Sequence, residues 1–537
     1  MNCWVDSFLQ PYAHGKTVLH TGVIYILLDC IKHSVNIDPP YNTGNDFVYS
    51  DDYKDNIENY FRITGQKNEE GYRNSNNTES SGRYHTNWLN MMYPRLRLAR
   101  NLLKDDGVIY ISIDDNEVDN LKKVCNEIFG EENFVSLFIW KKRTGSNDSQ
   151  NGVSNDHDYI LCYFKMFSTV FNGVKKDFIN YKNPDNDPRG PWAKDNLTCN
   201  KTASERSNLF YPITDPITGI IFQCNPNRVW AYEKERMNRI IAEGKVIFPK
   251  DGNGTPTYKR HLAEVRSETK PFSSLIDTKI NAIATKALRD LLNGQVFDYP
   301  KGIDLIIKLI EQASNKNDII LDFFSGSSTT AHAVMQLNAE DNGNRKFIMV
   351  QLPEPCSQDS EAYKSGYKNI CEIGKERIRR AGEKIKKESK DKEKIKNLDI
   401  GFKVFKLDNS NIKKWNPDYD NLEITLDDMV SNFVAGRSDL DIIYEIMLKY
   451  GKNITLPIQE YDFSGKKVYA IGMGMLIICL DDNINTSLAH EIIKLKNELA
   501  PEEIRVVFKD NGFPNDSTKT NVKENLRQAG VDEFITI

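Results

Sequence analysis

Apolar residues recur along this chain with two different spacings, and the alternation between them predicts the elements. Trp88, Leu89, Met92, Leu96, Ala99 and Leu103 follow helical spacing, Asp105-Asp106-Gly107 ends that helix, and Val108–Ile113 reads as a short buried strand, which makes one α/β unit. Asp114-Asp115-Asn116-Glu117 closes the strand where a parallel sheet presents its loops to ligands, and a cap for a helix over Leu121–Phe129 is the role expected of it. Between the Asp38 turn described below and this unit, residues 45–81 are polar and rich in Asn, Asp and Gly, the texture of a surface loop. From Phe138 the pattern changes to short β-like pieces, Tyr159–Phe164, Ile220–Phe222 and Val246–Phe248, broken by Gly, Pro and Asn, as in an inserted domain. The α/β rhythm returns near residue 296: Ile303–Ile310 as a helix, Ile319–Leu321 as a strand, Thr329–Leu337 as a helix and Phe347–Val350 as a strand. One sheet interrupted by an insert is the economical topology. Gly374–Lys396 reads as a charged helix with a solvated face. Gly401–Leu407 opens a last α/β region with strands at Lys467–Ile471, Met475–Cys479 and Arg505–Phe508.

At 537 residues the chain exceeds one core, and three or four domains are expected. Hydrophobic content of 39% with 27% charged residues is that of a soluble globular protein. The apolar segment Gly22–Leu28 is far shorter than a membrane span and reads as a buried strand or helix, and no basic stretch precedes it as in a signal peptide. The nine cysteines form no C-x-x-C pair and do not group with the eight histidines, so neither a metal site nor a disulfide framework is expected, and a cytoplasmic setting fits. The net charge of −5 conceals an uneven distribution: residues 141–270 hold 21 Lys and Arg against 15 Asp and Glu. Within that stretch Lys141, Lys142, Arg143, Arg189, Trp192 and Arg228 interleave cations with aromatic rings, the pattern that phosphate tracking and base contact require, although Trp192 and Trp230 also suit a core.

Asp38-Pro39-Pro40-Tyr41 follows the apolar run Val35-Asn36-Ile37 and places an acid, two rigid carbonyls and an aromatic face together. The prolines fix φ and have no N–H, so their carbonyls stay free for an external donor. The exocyclic amine of an unstacked base is such a donor, with Asp38 as second acceptor and Tyr41 as stacking face. A stiff strand-to-loop turn is the alternative. A second loop, Asp322-Phe-Phe-Ser-Gly-Ser-Ser-Thr-Thr330, lies between a strand and a helix, where backbone approaches a nucleotide-like ligand closely. No Lys follows its glycine and only one glycine is present, which excludes a P-loop and a dinucleotide fingerprint. A ligand with adenosine but no phosphate suits it, and Glu354, just after the next strand, stands where such sheets place a carboxylate for ribose. The two sites together describe methyl transfer from S-adenosylmethionine to an exocyclic amine.

The segments Asp38–Asn45, His85–Leu96 and Asp322–Ser327, with Asp187–Trp192, Val296–Lys301, Asn344–Glu354 and Gly401–Leu407, resemble the modification subunit of type III restriction–modification systems, from about residue 35 to the C-terminus. The resemblance implies an α/β S-adenosylmethionine-dependent methyltransferase (Rossmann-like) fold in permuted order, with an inserted target recognition domain and a C-terminal α/β region. Residues 1–137 would form the catalytic half, 138–280 the recognition domain, 281–398 the cofactor half and 399–537 a C-terminal domain for dimer or partner contacts. It implies site-specific adenine-N6 methylation of double-stranded DNA. The expected partners are a second copy and a restriction (Res) helicase-nuclease subunit, with no membrane. By position, Asp38, Pro39, Pro40 and Tyr41 would hold the flipped adenine, and Asp322, Phe324, Gly326, Ser327 and Glu354 the cofactor, with Tyr299 and Lys301 placed over it. Two departures stand out. Gly326-Ser327-Ser328 replaces the usual Gly-Ser-Gly, and a serine forced to φ > 0 costs about 1 kcal/mol. Met1–Ser34 is also unlike the longer segment that usually precedes the turn. These motivate an alternative expectation, a catalytically impaired DNA-recognition subunit; action on RNA or on a protein glutamine amide is a third.

Overall fold

The computed structural model describes residues 2–5, 34–43, 84–145, 152–389, 391–413, 432–531 and 533–537. The Gly22–Leu28 segment and the 45–81 loop lie outside the described residues.

A nine-stranded sheet organises the larger of two compact units, which comprises residues 1–170 and 273–537. In chain order its strands are β1 (Asn2–Val5), β2 (Ser34–Ile37), β3 (Val108–Ile113), β4 (Phe134–Lys141), β5 (His157–Phe164), β6 (Leu275–Ile276), β7 (Ile319–Asp322), β8 (Lys346–Val350) and β9 (Phe402–Phe405). In space they run β6-β4-β5-β3-β2-β7-β8-β1-β9, and β5 alone is antiparallel to both of its neighbours. The strand that carries the Asp38 turn is central, hydrogen-bonded in parallel to β3 on one side and β7 on the other.

Alternation along β7 and β8 divides the core into two layers, because successive side chains of a strand face opposite ways. Leu321, Ile348 and Val350 join one cluster with Trp88, Met91, Met92 and Leu96 of helix α1 (Tyr84–Leu102) and Leu121, Cys125 and Phe129 of α2 (Val118–Phe129). Ile320, Phe347 and Met349 join the other. Its helices are α4 (Ile303–Ala313), α5 (Thr329–Asp341) and α6 (Ile370–Glu388), while α3 (Asn281–Leu292) packs its Leu288 and Leu292 with Ile373 beside it. The charged run expected as one solvated helix is therefore two pieces, α6 and a short helix Lys392–Lys396. The first buries Cys371, Ile373, Ile378, Ala381 and Ile385 together with Lys375 and Arg377, so its charges are not confined to a solvated face.

The last region forms a five-stranded sheet, β10 (Ile458–Phe463), β11 (Lys466–Ile471), β12 (Leu476–Cys479), β13 (Arg505–Phe508) and β14 (Glu533–Thr536), with an apolar cluster on each face. Gly401–Leu407 does not begin this sheet, because β9 pairs with β1 at the edge of the nine-stranded one.

The second unit runs from Phe171 to Phe272. It is shorter than the 138–280 segment expected from sequence texture, because β4 and β5 belong to the nine-stranded sheet. Its core gathers Leu197, Val229, Trp230, Met237 and Tyr258 around a three-stranded antiparallel sheet.

Candidate active site

Parallel neighbours end on the same side of a sheet, and that rule brings the two sequence sites together. β2 and β7 are adjacent with Val35 beside Leu321, so the Asp38 turn and the Asp322 loop leave neighbouring strand ends. They share one cleft, lined by Asp38, Tyr110, Phe297, Lys301, Asp322 and Gly326 among others. Open α/β sheets bind ligands in this position, outside the carboxyl ends of their strands.

The turn is braced from behind. Trp88, fully buried on α1, donates its indole N–H to the Pro40 carbonyl at 2.7 Å. One of the two proline carbonyls is thereby taken, which leaves Asp38 and the Pro39 carbonyl as the acceptors for an incoming amine. Asn42, at φ 57°, is held by Glu117, whose buried carboxylate also meets His85 at 2.7 Å and Asn120 at 2.8 Å. Glu117 stands at the start of α2 yet makes no side-chain cap there, so the capping role expected of Asp114–Glu117 gives way to support of the turn. Asp38 opens into the cleft with 36% of its side chain exposed. Burial of the site raises its carboxyl pKa, and the neighbouring Lys301 ammonium acts in the opposite sense.

Lys301 stands at this turn. Its Nζ donates to Tyr41 Oη at 2.6 Å and lies 3.2 Å from Asp38 Oδ1 and 3.6 Å from Asp158 Oδ2. Tyr299, at φ 55° and 81% exposed, lines the cleft from the same segment.

The second loop is shaped by its own backbone. Asp322 accepts from the Phe324 N–H at 3.1 Å and the Thr330 hydroxyl at 2.7 Å, which fixes both ends of the turn. Burial nevertheless raises the Asp322 pKa to about 7. Gly326 adopts φ +47°, and a Cβ there would meet the Phe297 ring at 3.3 Å, so backbone and ring together close one side of the cleft. The Gly326 N–H donates to Gln351 at 2.7 Å, and Arg377 ties Ser327 and Thr329 hydroxyls at 2.8 and 2.7 Å. Ser328 has φ +64° with no side-chain cap bond and a buried hydroxyl that finds no partner among the described residues. The Ser325 hydroxyl, where it lines the cleft, is likewise buried and has no partner among the described residues. A nucleoside ligand with hydroxyl and amine groups fits that orphaned atom and the acidic Asp322 behind it. Glu354 is not among the residues lining this cleft; burial raises its pKa beyond the end of β8.

The expected DNA-contacting residues fall in different settings. Lys141 is exposed and Arg143 partly so, while Lys142 pairs with the buried Asp158 at 2.7 Å. In the second unit, Arg228 is exposed, and Trp192 is partly exposed with Lys259 4.8 Å over its ring. Arg189 embraces Asp187 at 2.9 and 2.8 Å and donates to the Glu243 carbonyl. With Lys259 and His261 also in reach, the Asp187 carboxyl is held well below the usual carboxylate range, chiefly by Arg189. Trp230 is core. The sequence alone does not single out Asp158, Glu117, Trp88 or Gln351 as site residues, although Trp88 and Gln351 lie in segments that carry the resemblance, Glu117 ends the run that closes β3, and Asp158 is an acid just ahead of the apolar run of β5.

A family model described as DNA methylase matches residues 33–382. The Mod subunit of the type III restriction-modification enzyme StyLTI of Salmonella typhimurium is 39% identical over 71% of this chain and 59% of its own length. The EcoP15I Mod subunit of Escherichia coli is 31% identical over 90% of this chain and 80% of its own length. A crystal structure of M1.HpyAVI overlaps 69% of this chain at 13% identity with a TM-score of 0.27. The chain belongs to the DNA methylase family and, within it, to the Mod subunits of type III restriction-modification enzymes.

Proposed function

We propose that this chain is a site-specific DNA adenine-N6 methyltransferase, the modification and specificity subunit of a type III restriction–modification system. S-adenosylmethionine, held by Asp322, Phe324, Gly326 and Ser327, supplies an electrophilic methyl group when bound. The observation that carries this reading is the single cleft shared by Asp38 and Gly326. There Asp38 and the Pro39 carbonyl hold the two amine hydrogens of a flipped adenine, Tyr41 stacks on its ring, and the nitrogen lone pair is left facing the cofactor loop. Asp38 then takes the proton that N6 sheds on gaining the methyl group, and its raised pKa suits that step. Double-stranded DNA is the substrate, a second copy and a Res subunit are the partners, and Phe171–Phe272, with 17 Lys and Arg against 12 Asp and Glu, is the unit that reads the site. Among the described residues no helix is long and apolar enough to cross a membrane.

Intact parts on both sides of the cleft do not favour the impaired reading. Incubation with tritiated S-adenosylmethionine and unmethylated genomic DNA is expected to label N6-methyladenine. Asp38→Ala is expected to lower transfer by roughly a thousandfold while DNA binding persists. Methylation retained in that variant would sink the assignment.

A further inference from the structure

The seat of the target amine already holds a nitrogen cation. Lys301 Nζ touches the two side chains that are to receive the base, Tyr41 Oη at 2.6 Å and Asp38 Oδ1 at 3.2 Å, and stands 4.8 Å from the centre of the Tyr41 ring. A base amine that donates to Asp38 needs the space this ammonium holds 3.2 Å from Asp38 Oδ1, so the two compete for one place. A second carboxylate waits almost as near: Asp158 Oδ2 lies 3.6 Å from the ammonium, while its Oδ1 is pinned by Lys142 at 2.7 Å. The Asp158 side chain is 4% exposed, and a buried carboxylate in that position needs a standing cationic partner. Trp140, fixed through its indole N–H to Thr278 at 2.8 Å, faces the ammonium at 5.7 Å, so a path between the two acids keeps an aromatic surface beside it.

We propose that Lys301 is a surrogate for the target amine: it fills the amine seat of the empty enzyme and moves onto Asp158 when the base enters, staying close enough to keep Asp38 ionised. Lys301 is then a positioning residue for both ends of the cycle, and Asp158 is its alternate seat. The inference rests on the methyltransferase reading. It differs from the placement over the cofactor that family resemblance implies for Lys301. Among the described residues, the titratable groups around Asp38 are Asp322 on β7, Asp114 and Asp158 at β3 and β5, Lys142 after β4, Lys301 before α4 and Tyr41 in its own turn. Among the described residues, Lys301 is the cation in contact with Asp38.

The test uses the full chain, with cofactor binding by calorimetry and steady-state transfer of tritiated methyl to unmethylated genomic DNA across pH. Lys301→Met and Asp158→Asn are expected to bind S-adenosylmethionine within about twofold of the unaltered protein. Asp158→Asn leaves the ammonium with one seat and is expected to raise KM for DNA about tenfold with little change in kcat. Lys301→Met empties the seat and removes the counter-ion, so KM for DNA should not rise, while the acid limb of kcat moves up by roughly one to three pH units. Lys301→Arg, which keeps the charge, should hold that limb in place. A Lys301→Met protein that loses cofactor binding by tenfold or more makes Lys301 a cofactor ligand and overturns the proposal, as does an unmoved acid limb or an unchanged KM in Asp158→Asn. Unaltered protein that transfers no methyl group would instead defeat the functional reading itself.

Discussion

At the scale of single residues, the site depends on a few atoms whose alternatives are easily counted. Ser328 occupies a left-handed conformation that disfavours any Cβ, and its buried hydroxyl has no partner among the described residues. Ser328→Gly removes both penalties. The expected gain is about 1 kcal/mol in unfolding free energy by urea titration, together with cofactor affinity no weaker than before. Trp88 offers the opposite case. Trp88→Phe keeps most of the apolar volume but releases the Pro40 carbonyl, which should cost roughly 1–3 kcal/mol in the same titration and lower kcat while S-adenosylmethionine binding holds. A Trp88→Phe enzyme with undiminished kcat would show that the brace on the turn is dispensable. The legibility of such details from sequence was uneven. Asp38 and Gly326 stand out as candidates in the sequence because each sits in a short run whose chemistry is local. Trp88 was placed on its helix, but nothing in the spacing of α1 says that its indole N–H ends on a proline carbonyl, and Gln351 carries no local signal for a bond to Gly326.

At the scale of elements, period and punctuation predicted most strands and helices, and the adjacency of β2 and β7 then placed the chemistry. Membership of the sheet was harder to read. The short apolar run of β5 is bounded by polar residues as the short strands of the insert are, so its texture assigns Tyr159–Phe164 to the insert, whereas the strand pairs with β3 and β4. With that error went Asp158, whose role depends on β5 lying two places from β2. The end of β7 carries a testable electrostatic consequence. Asp322 has a pKa of about 7 because burial disfavours its charge more than Thr330 and Phe324 favour it. A carboxyl raised on folding binds its proton more tightly in the native state. Its contribution to stability is therefore complete below the unfolded value near 3.8 and is lost as pH rises through about 7. Asp322→Asn stays neutral throughout, so the unfolding free energy of the unaltered protein minus that of the variant should fall between pH 5 and pH 8 in urea titrations. Parallel curves would mean that Asp322 titrates normally.

At the scale of the whole molecule, the unit proposed to read DNA is built so that it can be exchanged without rebuilding the sheet. The unit Phe171–Phe272 has its own core, and its two ends are clasped to each other. Val174–Lys175 pairs antiparallel with Thr269–Lys270, and Phe171 meets Phe272 edge-to-face with ring centres 6.2 Å apart. Ends held this way leave little closure entropy to be lost when the segment is cut out or replaced by a short linker. Residues 171–272 expressed alone are therefore expected to unfold cooperatively by circular dichroism, and to bind duplex DNA with an affinity that falls steeply with salt, as phosphate contacts dictate. The complementary protein, with a short Gly–Ser linker in place of the unit, should keep S-adenosylmethionine binding, because every residue lining the cleft lies outside the deletion, yet methylate no DNA. If that protein still methylates DNA at discrete sites, recognition resides in the sheet-bearing unit, and the basic surplus of the insert is surface charge alone.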